Sequence, residues 1–526
     1  MTAPALEAVE RALRAAGATA VRIVGRHAVE AEAAPERVPA AADGLGRAGL
    51  QVQVLAATDA RARTGRFLLA YVFSPPGGRP QAHLLVPVPP AAPRFPSLAT
   101  RSFAASRFER EIHDLLGLVP EGHPDLRRLA LHQFWPAGYW PLRRDAAARR
   151  DFTDEGQPFP FRRVEGEGLF EITVGPVHAG IIEPGHFRFT VEGETIVNLE
   201  TRLGFVHKGI EKLFETLPFE RTPELAERVS GDEAVAHALA YCQALEALAG
   251  CVVPPRAAWL RVVLLELERL YNHVGDVGMI VNDTGFAFGH AHCFRLREEL
   301  LRLNQRLTGH RLLRGGVVPG GVADRVGEAP LDEVAATAGR LAGEFDEIAA
   351  LCLANTLVLE RLQGTGRLTP ATARELQVVG LVGRASGVDA DVRRDAPFAA
   401  YGELDVRVPV HAAGDVWART MVRIEEAREA ARLVAAAARR AGAGPLRAPL
   451  GPLPAGGHAT GLVEAWRGPL WYWVRSGGPA TVERVKVAGP SSRNWPALEY
   501  AVLKNIVPDF PLCNKSFNLS YSGNDL

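Results

Sequence analysis

The sequence predicts an α+β protein: a small α/β domain first, then a large, mainly helical domain carrying a small β-sheet. Three observations carry this. Segments with apolar residues at alternate positions cluster before residue 90 and recur between residues 170 and 199. Long segments with apolar residues at three- and four-residue spacing fill the chain beyond residue 230. Between the two regions lies a charged stretch broken by Gly156, Pro158 and Pro160. A chain of 526 residues with 47% hydrophobic and 23% charged residues suits a globular protein of two or more domains.

In chain order, residues 6–16 have the pattern of a short helix. Residues 50–55 (Leu-Gln-Val-Gln-Val-Leu) alternate as a half-buried strand does. Residues 66–73 and 81–88 read as two more strands. Ser74-Pro75-Pro76-Gly77-Gly78 ends the first of these, because proline lacks a backbone donor and glycine accepts turn dihedrals. Residues 107–117 form an amphipathic helix closed by Gly117. These elements define a first domain at 1–150, a linker at 151–165 and a second domain at 166–526. In the second domain strands are expected at 170–174, 187–191 and 195–199. Helices are expected at 233–248, 261–282, 293–308, 331–351 and 416–441. Their alanine content favours helix by roughly 0.5–1 kcal/mol per residue over glycine.

Lys plus Arg number 60 and Asp plus Glu number 60, so the net charge is zero. No whole-protein field draws the chain to nucleic acid or to an anionic membrane. Near-neutral chains associate readily, which suits a subunit of an assembly. Cys242, Cys251, Cys293, Cys352 and Cys513 form no CxxC pair and are odd in number. They read as buried small hydrophobes in a reducing compartment. The first seven residues lack a signal peptide's basic start and apolar core. No uncharged apolar run reaches the ~18 residues a membrane span needs. The most apolar helix segment, 259–281, is interrupted by Arg261, Glu266, Glu268, Arg269 and Asp276. Gly320-Gly321 opens no GxGxxG or Walker pattern, so no NAD or ATP site is expected.

Arg107-Phe108-Glu109-Arg110-Glu111, Gly122-His123-Pro124 and Pro141-Leu142-Arg143-Arg144-Asp145 occur in this order. They resemble the signature of the small peripheral-arm subunit of respiratory complex I. From Phe170 onward the chain resembles the large peripheral-arm subunit that complex I shares with nickel–iron hydrogenases. The carriers are His207-Lys208-Gly209-Ile210-Glu211-Lys212, residues 267–286, residues 383–395 and Gly414-Asp415-Val416-Trp417. The last three follow the branch of membrane-bound group 4 hydrogenases and formate hydrogenlyase. The resemblance implies a fused small-plus-large subunit of a complex I-like oxidoreductase complex with a hydrogenase large-subunit-like fold, coupling electron transfer to ion translocation. It implies an iron–sulfur small subunit and integral membrane subunits as partners, with the iron–sulfur clusters in those partners. The expected location is peripheral, on the cytoplasmic side of the cell membrane. No cofactor is expected within this chain, and a quinone is left open as a ligand.

The hydrogenase family holds nickel with a C-G-x-C motif and a terminal D-P-C-x-x-C motif. Here the first reads Ser230-Gly231-Asp232-Glu233, and Ser520 and Gly523 stand at the terminal cysteine positions. A hydroxyl is no substitute for a soft thiolate, glycine brings no ligand and glutamate is a hard oxygen donor. The resemblance therefore implies no metal site and no hydrogen chemistry. A quinone-reducing subunit and a non-catalytic coupling subunit remain the alternatives.

Glu183 and His186 lie in the loop of residues 175–187, at the family positions of a proton-relaying Glu and a quinone-facing His. Asp283 matches an Asp that pairs with that His. These three are the candidate catalytic residues, because a buried carboxyl beside an imidazole can exchange protons. Arg228 replaces the quinone-binding Tyr of complex I. Arg384 is expected to reach the former metal pocket. Together with His186 they are the candidate cofactor-binding residues. Ser230 and Glu233 have capping-box spacing, and a buried Glu233 needs a cation, with Arg228 or Arg384 as candidates. His273 reads as a satisfied core histidine. The tail, with Phe517, Leu519 and Tyr521 at alternate positions, is expected to pack as a short strand over the site. It ends where the processed hydrogenase tail ends, so no maturation cleavage is expected.

Overall fold

The computed structural model describes residues 3–148, 152–153, 156–179 and 182–526. Part of the expected linker (Asp151, Asp154 and Glu155) and two residues of the 175–187 loop (Gly180 and Ile181) lie outside these.

The N-terminal region is a five-stranded mixed sheet. Its spatial order is Thr19–Val24, Ala28–Glu32, Gln81–Val88, Phe67–Ser74, Gln51–Thr58. The pairing of Ala28–Glu32 with Gln81–Val88 is parallel and the other pairs are antiparallel. The three strands expected from alternation are present within two or three residues at either end. Thr19–Val24 escaped the sequence because it is an exposed edge, with no buried face to impose a period. The helix Phe103–Leu116 packs on Gln51–Thr58. Gly117 closes it in the left-handed region at φ 68°, and a Cβ there would lie 2.2 Å from the Trp140 ring.

The second region opens with the antiparallel sheet Leu169–Val174, His186–Glu192, Thr195–Arg202. The helices Ala234–Ala249, Pro255–Asp283, Ala287–Thr308, Leu331–Ala354 and Val416–Arg440 follow, close to the expected bounds. Pro255–Asp283 runs through the centre and is buried on every side over most of its length. Its charged residues, which break the apolar run, are buried and bonded rather than solvated. Arg261 pairs with Glu246 at 2.5 Å, Arg269 with Glu266 at 3.2 Å, and Asp276 with Arg423 at 2.8 Å.

A whole sheet of the second region was also not expected from the sequence. His458–Ala465, Gly468–Gly478 and Thr481–Ala488 form an antiparallel sheet in the core. Trp471, Tyr472 and Trp473 are all buried, so both faces are covered and no alternation appears. This sheet also joins the two regions. Lys486 bonds Glu111 at 2.5 Å and Glu211 at 3.0 Å, and Glu483 receives Arg63 and Arg144.

The tail is buried as expected, but it is not a strand. It forms the helices Phe510–Phe517 and Tyr521–Asp525, with Asn518 at φ 45° turning the chain between them. That left-handed turn, not strand alternation, brings Phe517, Leu519 and Tyr521 to one buried face. Among the described residues no helix is long and apolar enough to cross a membrane.

Candidate functional site

The site is built where the loop before helix Ala234–Ala249, the C-terminal tail and the Trp466-Arg467 turn of the core sheet meet the central helix, helix Ala287–Thr308 and the loop carrying Glu183. They frame a cavity of about 350 Å³ lined by Glu183, Ser230, Asp232, Asn272, Asp276, Arg297, Arg467, Lys515 and Ser520, among others. Among the described residues, no cysteine lines it.

Ser230 does not cap the helix. Its hydroxyl lies 2.8 Å from the Ser520 hydroxyl and donates to Asp232 at 3.0 Å. Ser520 Oγ accepts the Gly523 N–H at 2.9 Å. The helix start is capped from outside, by the Glu268 carboxyl, which accepts the N–H groups of Val235 and Ala236 at 2.7 and 3.0 Å. The capping-box expectation for Ser230 and Glu233 is thus replaced by a tertiary cap.

Glu233 is 2% exposed and has a cation, as burial demands, but the cation is neither Arg228 nor Arg384. Arg467 bonds Asp232 through both Nη atoms at 2.8 and 2.7 Å and reaches Glu233 at 3.2 Å. Its Nε donates to the Asn518 carbonyl at 2.5 Å, and its guanidinium lies 3.8 Å from the Trp466 ring centre. One guanidinium therefore faces two carboxyls. Burial opposes ionisation of Asp232, but Arg467 outweighs it and holds that carboxyl below its usual range. Burial, reinforced by the charge on Asp232, wins at Glu233 and pushes it up to about 7. Glu233 Oε1 is buried without a hydrogen-bond partner. Its other oxygen lies 3.9 Å from His237 Nε2. Burial pulls His237 down to about 3, and its Nδ1 meets the Tyr472 hydroxyl at 2.7 Å.

The structure distributes the sequence candidates over several places. Glu183 lines the cavity and accepts the Ser522 N–H at 3.0 Å. His186 lies in a separate cavity of about 250 Å³ with His132, Phe134, Phe159, Phe161 and Phe205. Burial lowers its pKa, and its Nε2 has no partner. Asp283, raised by burial against the pull of Lys515, is at the end of the central helix and lines neither cavity. Arg228 is half exposed and donates to the Glu224 carbonyl at 2.7 Å. Arg384 is fully buried in an ionic cluster. It bonds Glu426 at 2.7 Å and Glu464 at 2.8 Å, and His273 Nε2 meets the same Glu426 at 2.9 Å. His273 is a core histidine as expected, but only its Nε2 is satisfied, because its Nδ1 is buried without a partner.

Two family models match the chain. The respiratory-chain NADH dehydrogenase 30 Kd subunit matches residues 30–151, and the 49 Kd subunit matches residues 283–452. Formate hydrogenlyase subunit 5 of Escherichia coli (strain K12) is 34% identical over 480 residues, covering 90% of this chain and 84% of that protein. The chain belongs to this family. NADH-quinone oxidoreductase subunit 4 of Thermus thermophilus is 32% identical over 368 residues, covering 65% of this chain and 90% of that protein. Among solved structures, a chain of a membrane-bound sulfane sulfur reductase, an archaeal respiratory membrane complex, superposes with a TM-score of 0.64. It is 27% identical, and the match covers 68% of this chain and 99% of that one. With both family models matched in one polypeptide, the chain is a fused subunit of the complex I-like, hydrogenase-related kind.

Arg467, Arg297 and Lys515 line the cavity and were not singled out from the sequence. Arg467 sits in a two-residue turn, Trp466-Arg467, between Ala465 and Gly468, which carries none of the Asn-Gly or Gly-X signatures that mark such hairpins in a sequence.

Proposed function

We propose that this chain is the peripheral coupling subunit of a membrane-associated oxidoreductase complex and that it works without nickel, with Glu233 as a proton-exchanging group. The observation that carries this is the Arg467 guanidinium tied to Asp232 and Glu233 beside the paired hydroxyls of Ser230 and Ser520. The guanidinium occupies the carboxyl oxygens of Asp232 and Glu233 that would otherwise face a metal, and among the described residues no thiolate is present to take their place. The two hydroxyls are already bonded to each other, to Asp232 and to the Gly523 N–H. A carboxyl that titrates near 7 gains and loses a proton at neutral pH. His237 and Tyr472 extend a polar path from it into the core sheet. Electrons would come from iron–sulfur clusters of a hydrogenase small-subunit-like partner, and ion movement would occur in integral membrane partners. The family resemblance supports this division and a position on the cytoplasmic face.

A second reading is favoured by one observation. His186, whose buried Nε2 has no hydrogen-bond partner, lines an aromatic-walled cavity that suits the headgroup of a quinone. The test of the first reading is proton uptake on electrochemical reduction of the purified complex, followed with a pH indicator. Uptake near pH 7 is expected to fall by up to about half a proton per chain in Glu233→Gln, because a carboxyl that titrates near 7 is already about half protonated there. Unchanged uptake in an assembled Glu233→Gln complex would contradict it.

A further inference from the structure

We infer that the cavity in front of Ser230 binds a small oxyanion, seated between Arg297 and Lys515. This rests on the reading that the cavity is the working site, and it names a ligand class for it from charges that the proton site does not use. Arg297 is set into the wall. Its guanidinium lies over the rings of Tyr271 and Phe294 at 5.8 and 5.7 Å. A Cβ on Gly275 would lie 2.6 Å from its Cδ and 2.9 Å from its Nε, so the central helix is notched to receive this side chain. Apolar rings and a notch fix its position without neutralising it. Among the described residues neither Arg297 nor Lys515 has an ion-pair partner.

The other charges at the cavity are accounted for. Asp276 is matched by Arg423 at 2.8 Å, and Asp232 and Glu233 share Arg467. Asp283 feels the field of Lys515 without forming an ion pair. Glu183 is the one lining carboxylate, among the described residues, without a cation, and it accepts a backbone N–H. With Glu233 protonated, two unpaired cations face one unpaired carboxylate, so the cavity carries excess positive charge. A guanidinium held in place donates two parallel N–H bonds to an oxyanion, and an ammonium adds a point charge. A volume of about 350 Å³ is at the small end of ligand cavities and suits an anion of few atoms with its waters.

The test is isothermal titration of the purified complex at low ionic strength with sodium formate, sodium sulfate and sodium thiosulfate in turn. Saturable binding of at least one anion, one per chain, is expected. Arg297→Met and Lys515→Met should each weaken it about tenfold, the loss of one charge-assisted contact. Arg297→Lys should recover part of the affinity. The methionine stem keeps the packing on Tyr271 and Phe294, and an unchanged melting temperature shows that the fold is intact. No binding of any of the three anions, or equal binding by wild type and the methionine variants, overturns the inference. The nickel content of the same preparation reports on the nickel-free reading separately, so the two can fail independently.

Discussion

Replacing Glu233 by Gln should stabilise the protein at alkaline pH and do much less at acid pH. In the folded chain the carboxyl titrates near 7, against an ordinary value of 4.5. The sign follows from proton binding. Between those two values the folded state holds a proton that the unfolded state has released, so stability falls as pH rises through this window and levels off above it. The shift is about 2.5 pH units, and at about 1.4 kcal/mol per unit the native state is penalised by about 3 kcal/mol at pH 8 and about 1 kcal/mol at pH 5. Gln keeps the size and an oxygen for Arg467 but does not titrate. The variant should therefore gain about 2 kcal/mol more at pH 8 than at pH 5, read from urea unfolding followed by tryptophan fluorescence. Glu109, Glu227 and Glu464 are also raised to about 7 by burial, but they are common to both proteins and cancel in the difference. A Glu233→Gln effect that is the same at both pH values would refute the assignment of the neutral-pH proton to this carboxyl.

Removal of residues 517–526 should abolish assembly. Phe517, Leu519, Tyr521 and Leu526 are each at most 6% exposed, and burial at about 1.5–3 kcal/mol apiece totals roughly 6–12 kcal/mol, comparable to a domain's whole stability. A truncated chain that co-purifies with its complex at an unchanged melting temperature would contradict the packing described. Gly380→Ala should be severely destabilising, because at φ 64° its Cβ would fall 1.9 Å from the Arg467 carbonyl and push away the turn that carries the guanidinium. Gly231→Ala, with open space around the added methyl, is the matched control and should melt within about 2 °C of wild type.

Much of the fold was legible because its elements carry apolar residues at strand or helix spacing, even where, as in Gln51–Thr58, both faces are buried. Residues 81–88 alternate and form a strand with those bounds, and helix Phe103–Leu116 shows its stripe and its Gly117 stop. Gly468–Gly478, with Trp471 and Trp473, is buried on both faces and shows no alternation, and it went unread. The site was legible as a set of positions but not as a set of partners. Ser230, Glu233, Ser520 and Gly523 were marked by the motifs they replace. That Arg467 would hold Glu233 depends on a hairpin more than 230 residues away in sequence, and local spacing carries no such information. Arg384 illustrates the converse. A buried arginine was expected to serve the pocket, but Glu426 and Glu464 form a nearer pair of counter-charges inside the helical core.

The central claim is that an arginine-centred carboxyl pair stands in the place of a metal. Nickel analysis of the intact purified complex, by inductively coupled plasma mass spectrometry on the wild type and on Ser230→Ala, tests it most directly. No stoichiometric nickel is expected in either protein. One nickel per chain in the wild type, lost in Ser230→Ala, would contradict it.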